Sequence, residues 1–168
     1  MDELFFALDL AIYTSPPARR PAIDRYLASV DAEVGSEAAQ VMRAMRSARF
    51  AVVRFERRHP TAGFVVRDLA RESDHWLIDE GLELSADDGF VIATRLIIFE
   101  DFCMTAGVMV PLDADLLDEA LTEVVFLYRK TPRELVADRR FAEALYRVAL
   151  ADGIMERMAY RVVEPEAA

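Results

Sequence analysis

At 168 residues, 54% of them apolar, the chain can bury one sizeable core, and disorder is expected only at the closing VVEPEAA. A net charge of −10 argues against a dedicated nucleic-acid binder, and a single cysteine, Cys103, excludes an internal disulfide or a cysteine metal cluster. No apolar run reaches the ~20 residues of a membrane span, because the longest, FVIATRLIIFEDFCM, is interrupted by Arg95, Glu100 and Asp101.

The start, MDELFFALDLAIYT, reads as a short helix that is apolar on nearly every side and must be buried or dock on something. It opens on Asp2 and Glu3 rather than on a positive segment, so no secretory signal is expected and the cytoplasm is the expected location. SPP stops this helix. Pro21 then sits at the start of a second helix, with Ile23, Tyr26, Leu27, Val30 and Val34 at helical spacing. Gly35 ends it and Ser36 caps a third, SEAAQVMRAMRSAR. That helix is expected to bury Ala38, Val41, Met42 and Met45 and to project Arg43 and Arg46.

The period then changes. FAVVRFERR, GFVVRDLA, DHWLIDE, FVIATRLIIFE and FCMTAGVMV are short, β-branched and aromatic, with HPTAG, RES, SADDG and ED between them. Short links favour an antiparallel meander, here a five-stranded antiparallel sheet or an SH3-like partial barrel. The fourth strand is apolar on both faces, with Phe90, Ile92, Leu96 and Ile98 on one and Val91, Ala93, Ile97 and Phe99 on the other. Helices must therefore pack on the outside of the sheet. After Pro111 the helical period returns in DADLLDEALTEVVFLYR, in the capping box TPRE from Thr131 to Glu134, and over 138–151 and 153–163. The expected fold class is α+β: one domain over 1–168, helical over 1–49, a β meander over 50–110, and helical again over 113–163.

Charge is unevenly spread. Residues 41–71 carry eight arginines against Glu56 and Asp68, whereas residues 72–126 carry fourteen acids against Arg95 alone. The two blocks are expected to interleave in space and neutralise each other. Nineteen of the twenty basic residues are arginine, Lys130 being the exception, which fits the coding bias of a GC-rich bacterium.

The stretch LARESDHWLIDEG, residues 69–81, holds the only tryptophan, one of two histidines and four acids. Along a strand, His75 and Asp79 lie ~13 Å apart at ~3.3 Å per residue, too far to share a metal ion. With ARES as the loop, Asp68 faces His75 and Arg67 faces Trp76. That predicts a carboxylate–imidazole pair on one face and a cation–π stack on the other. His59, in the first turn, reads as solvent-exposed, and Cys103 as a buried structural thiol. No Walker motif, GxGxxG, GxSxG or calcium loop occurs, and no metal or cofactor is implied.

The stretch from Gly63 to Leu112, with VRDL, a polar turn, a strand, and then Ser85 and Gly89 before an apolar strand, resembles the small β modules of uncharacterised bacterial proteins. Some of those combine the module with helical segments and a cysteine-rich SEC-C zinc motif. This chain has no cysteine cluster, so the zinc motif is absent and the resemblance implies no activity.

Three functions are open. The leading expectation is a non-enzymatic cytoplasmic interaction or regulatory protein whose partner is a protein or a second copy, with Phe5, Phe6 and Leu10 of the first helix as the interface. The second is nucleic-acid association through Arg43, Arg46, Arg54, Arg57 and Arg58, with Phe50 and Phe55 interleaved but of opposite strand parity. The third is a small hydrolase-like enzyme built on Asp68 and His75.

Overall fold

The computed structural model describes residues 2–154 apart from Pro17, Asp31, Ala32 and Val34. The helix expected over 153–163 and the tail VVEPEAA lie outside the described residues beyond Ile154. Three helices come first: α1 (Asp2–Tyr13), α2 (Ala22–Leu27) and α3 (Glu37–Arg46). Five strands follow, β1 (Arg49–Arg58), β2 (Phe64–Asp68), β3 (Ser73–Leu77), β4 (Val91–Ile98) and β5 (Cys103–Pro111), with α4 (Glu80–Ser85) between β3 and β4. The chain continues through α5 (Ala114–Glu123), a 3-10 turn (Val125–Leu127), α6 (Pro132–Ala137) and α7 (Arg139–Asp152).

The strands close into a barrel in the order β1-β2-β3-β5-β4. The fold is thus α+β as expected, but the sheet is mixed rather than antiparallel throughout. The reason lies after β3. The segment read as strand and turn there contains a helix, α4, because Asp79 accepts hydrogen bonds from Gly81 N (3.1 Å) and Leu82 N (3.3 Å) and caps it. With that crossover in place, β5 returns beside β3 in parallel. The closure is brief, pairing Leu77 with Cys103 and adding Ile78 N to Cys103 O at 3.0 Å.

Strand alternation sorts the core into two. Ala51, Val53, Phe55, Phe64, Val66, Leu77, Ile92, Leu96 and Cys103 fill the barrel, with Leu82 and Ala86 of the α4 region packed among them. Phe50, Val52, Ala93, Val108 and Val110 point outward into a second cluster with the helices, which contribute Phe6, Leu116, Ala120, Phe141, Leu145 and Tyr146. Phe50 and Phe55 do lie on opposite faces, and β4 is covered on both. The first hairpin needs Gly63. Its φ is +69°, and a Cβ there would sit 2.0 Å from Leu77 O.

One helix differs in phase from its expected face. In α3 the buried residues are Ala39 and Ala44; Met42 and Met45 are half-buried and Val41 is 44% exposed. Small side chains face inward here, whereas apolarity alone favours the larger ones. The capping box is present as read: Thr131 accepts from Glu134 N, and the Glu134 carboxylate accepts from Thr131 N.

The helical layer is tied to the barrel by a buried charge. Asp9 of α1 takes a two-pronged contact from Arg95 of β4, Nε to Oδ1 at 2.6 Å and Nη2 to Oδ2 at 2.8 Å. Tyr146 of α7 donates its hydroxyl to Asp9 Oδ2 at 2.9 Å. All three are at least 96% buried. Burial first, and then the Asp9 charge, hold the Tyr146 phenol well above its usual range, so it remains a donor. Asp9→Ala leaves a guanidinium and a phenol buried without a partner. It is expected to lower the unfolding free energy by ~3–5 kcal/mol, read as a shift of the urea midpoint at constant slope. Asp9→Leu combined with Arg95→Met is expected to restore part of that loss, because the pair is then replaced rather than broken.

Candidate functional site

Four polar side chains gather at one end of the barrel. Arg49 opens β1 with the inward parity of Ala51 and Val53; Asp68 ends β2; Ser73 and His75 begin β3. Their register differs from the expected one. Asp68 pairs with Ser73, Arg67 with Asp74, Val66 with His75 and Val65 with Trp76. The loop is LARE rather than ARES, and Glu72 takes it round at φ +53°. Asp68 Oδ1 fixes that loop by accepting from Ala70 N and Arg71 N, both at 3.1 Å. The direct Asp68–His75 pair is therefore not formed. The slip in pairing is two positions, however, so both residues keep the same face.

Arg49 joins them. Its Nη2 lies 3.0 Å from His75 Nε2 and 3.7 Å from Asp68 Oδ2. Arg71, from the loop, donates Nη1 to Asp68 Oδ2 at 2.9 Å and to Phe50 O at 3.3 Å. Ser73 Oγ lies 3.0 Å from His75 Nε2. A guanidinium always donates, so Nε2 is the acceptor and the ring proton sits on Nδ1. This is not the arrangement of a hydrolytic triad. Asp68 is spent on the loop amides and two arginines, and the imidazole lone pair already faces a cation. Arg71 did not stand out in the sequence as a site residue, and neither Arg49 nor Ser73 stood out as a partner of His75. Strand parity carried the signal for Arg49, which shares the inward face of Ala51, Val53 and Phe55.

A family model matches residues 1–159. The chain belongs to DUF7986, a family of unknown function. No curated protein and no solved structure matches it. Function in this DUF7986 chain must therefore be argued from its own geometry.

The other expected contacts resolve as follows. Arg67 does not stack on Trp76; it pairs with Asp74 at 3.1 Å. Trp76 stacks on His59 instead, with ring centroids 4.2 Å apart, and donates Nε1 to Ala62 O at 2.6 Å. The first-turn histidine is thus half-buried by a ring contact. Cys103 is fully buried and its thiol is pushed up to about 12, chiefly by burial, which leaves it inert near neutral pH. The arginines of 43–58 divide among several surfaces. Arg46 pairs with Asp24 at 3.2 Å, Arg54 with Glu56 at 2.7 Å, and Arg58 donates to Glu83 O at 3.1 Å while lying over the Phe64 ring. Arg43 lines an open groove between α3 and the β4–β5 turn, and Arg57 is exposed on the bulged end of β1. Of the α1 residues, Phe6 is in the core and Leu10 is packed against it, whereas Phe5 is 46% exposed. No helix among the described residues is long and apolar enough to cross a membrane.

Burial first, and then the charge of Arg49, lower the basicity of His75; the carboxylates of Asp68 and Asp74 oppose this without overcoming it. The folded state therefore disfavours protonation. Its stability is fully present above the unfolded value of 6.5 and declines as pH falls through 6.5 toward the lower folded value. Urea unfolding across that window should show wild type losing stability relative to His75→Gln as the medium becomes acidic. A difference that stays constant with pH would contradict this.

Proposed function

We propose that this chain is a non-enzymatic interaction or regulatory protein of the bacterial cytoplasm, and that it self-associates through α1. The observation that carries the reading is the outer face of that helix. Leu4 is 61% exposed, Phe5 46% and Leu8 43%, while the opposite face is consumed by Phe6, Asp9 and Leu10. A row of large apolar side chains on one side of a helix is a recurrent mark of a contact surface.

The charge layout favours a second copy as the occupant. Exposed Glu3 lies at the start of α1, and exposed Arg19, Arg20 and Arg25 lie beyond its end. An isologous pair of antiparallel α1 helices, each about 18 Å long at ~1.5 Å per residue, sets each acidic start against the partner's basic end. The pair buries six such side chains, three from each copy and each already about half buried, so that at ~0.8–1.5 kcal/mol apiece they supply roughly 5–9 kcal/mol. Association costs on the order of 4–15 kcal/mol, so the reading implies a weak, concentration-dependent dimer rather than an obligate one.

Sedimentation equilibrium from micromolar to millimolar chain is the test. Wild type should move from monomer toward dimer, and Phe5→Glu with Leu8→Glu should stay monomeric with an unchanged melting temperature. A wild type that remains monomeric throughout, or a double variant that dimerises equally well, would overturn the reading.

A further inference from the structure

We propose that the pocket beside the barrel mouth binds a small phosphate-type oxyanion through Arg49 and Arg71. The pocket has a volume of about 240 Å³ and lies where β1 begins, between the barrel, the end of α1 and the α6–α7 junction. Arg49, Arg71, Arg95 and Arg139 all line it, each from a different element, in a chain whose net charge is −10. Phe50, Tyr13, Val136 and Ala142 supply apolar walls.

Two of the four arginines are committed. Arg95 is closed onto Asp9, and Arg139 holds Glu143 through Nε at 2.6 Å. The carboxylate of Asp138 also lines the pocket, but Lys130 at 2.7 Å and Arg140 at 2.8 Å answer its charge. Arg49 and Arg71 differ, because they share one carboxylate, Asp68. His75 meets Arg49 as a neutral acceptor and adds no negative charge. One positive charge is left over.

The hydrogen bonds agree. Arg49 Nε is buried and has no partner among the described residues. Its Nη2 stands 3.7 Å from Asp68, too far for a hydrogen bond, so this guanidinium is held by charge and one imidazole rather than clamped. Among the described residues, Arg71 spends only Nη1 on protein acceptors. An anion carrying several acceptor oxygens can meet the Arg71 N–H groups not spent on protein and the accessible part of the Arg49 guanidinium at once, and the planar fork of arginine suits it. The volume falls below the ~300–1,000 Å³ of pockets for drug-sized ligands, which points to free phosphate or a small phosphorylated molecule. The Leu4, Phe5 and Leu8 face takes no part, so this inference stands apart from self-association.

The test is calorimetric titration of the full chain with inorganic phosphate, against chloride at matched ionic strength. A second arm uses the phosphate ester of a small alcohol. Saturable binding of either supports the proposal; the tighter of the two identifies the source of the phosphate. Arg49→Met should weaken binding roughly tenfold or more, the cost of one hydrogen bond to a charged group. Arg57→Gln, on an exposed arginine outside the pocket, should leave it within about twofold. Should Arg49→Met fail to fold, the guanidinium Nε–H resonances of Arg49 and Arg71 in the wild type decide: both should shift with phosphate and not with chloride. No phosphate-specific binding, equal loss in Arg57→Gln, or unmoved resonances would overturn the proposal.

Discussion

The seat of α1 on the barrel depends on the buried Asp9–Arg95 pair, and much of the molecule's outer layer depends on that seat. An apolar helix with no polar face can pack in several rotations at similar cost, since each buries comparable area. Asp9 removes that freedom. A buried carboxylate must meet a cation and a further donor, and Arg95 together with Tyr146 supplies both in one orientation only. Such a pair adds little stability over an apolar replacement, but it specifies which way the helix faces. Once it forms, Phe6 stacks on Tyr146 with centroids 4.4 Å apart, and Leu4, Phe5 and Leu8 are left outside. The partners are 86 and 137 residues apart in sequence, so the contact also joins the N-terminal helices, the barrel and the C-terminal helices.

The barrel has the opposite character. Its interior is set by short-range pattern: inward Ala51, Val53 and Phe55 on β1 meet inward Phe64 and Val66 on β2, and inward Ile92 and Leu96 on β4. The bulge between Phe55 and Arg57 bends β1, and closure between β3 and β5 needs only one bridge because α4 packs Leu82 and Ala86 into the same core. A small barrel cannot fill its ends with apolar side chains without exposing them. At the end where β1 begins, the layer becomes polar: Arg49, Asp68, Ser73 and His75.

Much of this was legible in the sequence, and the gaps have physical causes. Alternation placed the strands and the two faces of β4, because pleating leaves no other choice. The pairing of β2 with β3 was misjudged because loop length alone does not say which residue opens the turn. Asp68 carried that information: an aspartate at the last strand position caps the loop through its own carboxylate, so the turn starts one residue earlier. The helix at Glu80–Ser85 was missed for a related reason, since Asp79 reads as one more strand residue until its capping role is recognised. Arg49 was hidden differently. Strand parity turns it inward, but its contacts, with His75 and Asp68, lie 26 and 19 residues away on other strands.

The basic pocket and the exposed apolar face share one element, α1. The end of α1 and the residue after it wall the basic pocket through Tyr13 and Thr14, while the outer face of the helix leaves Leu4, Phe5 and Leu8 exposed. Tyr13 also lies against the Arg95 guanidinium, with the ring centroid 5.0 Å from Cζ. Any influence of one surface on the other must therefore pass through the seating of this helix. That seating rests on a fully buried ion pair, which has two discrete states, made or broken, and no cheap intermediate. Breaking it leaves two charges buried and unmatched, so ligand binding of ordinary strength does not reach that second state. The surfaces should thus act independently in the native molecule, held in fixed relation by the same buried contact that created them both.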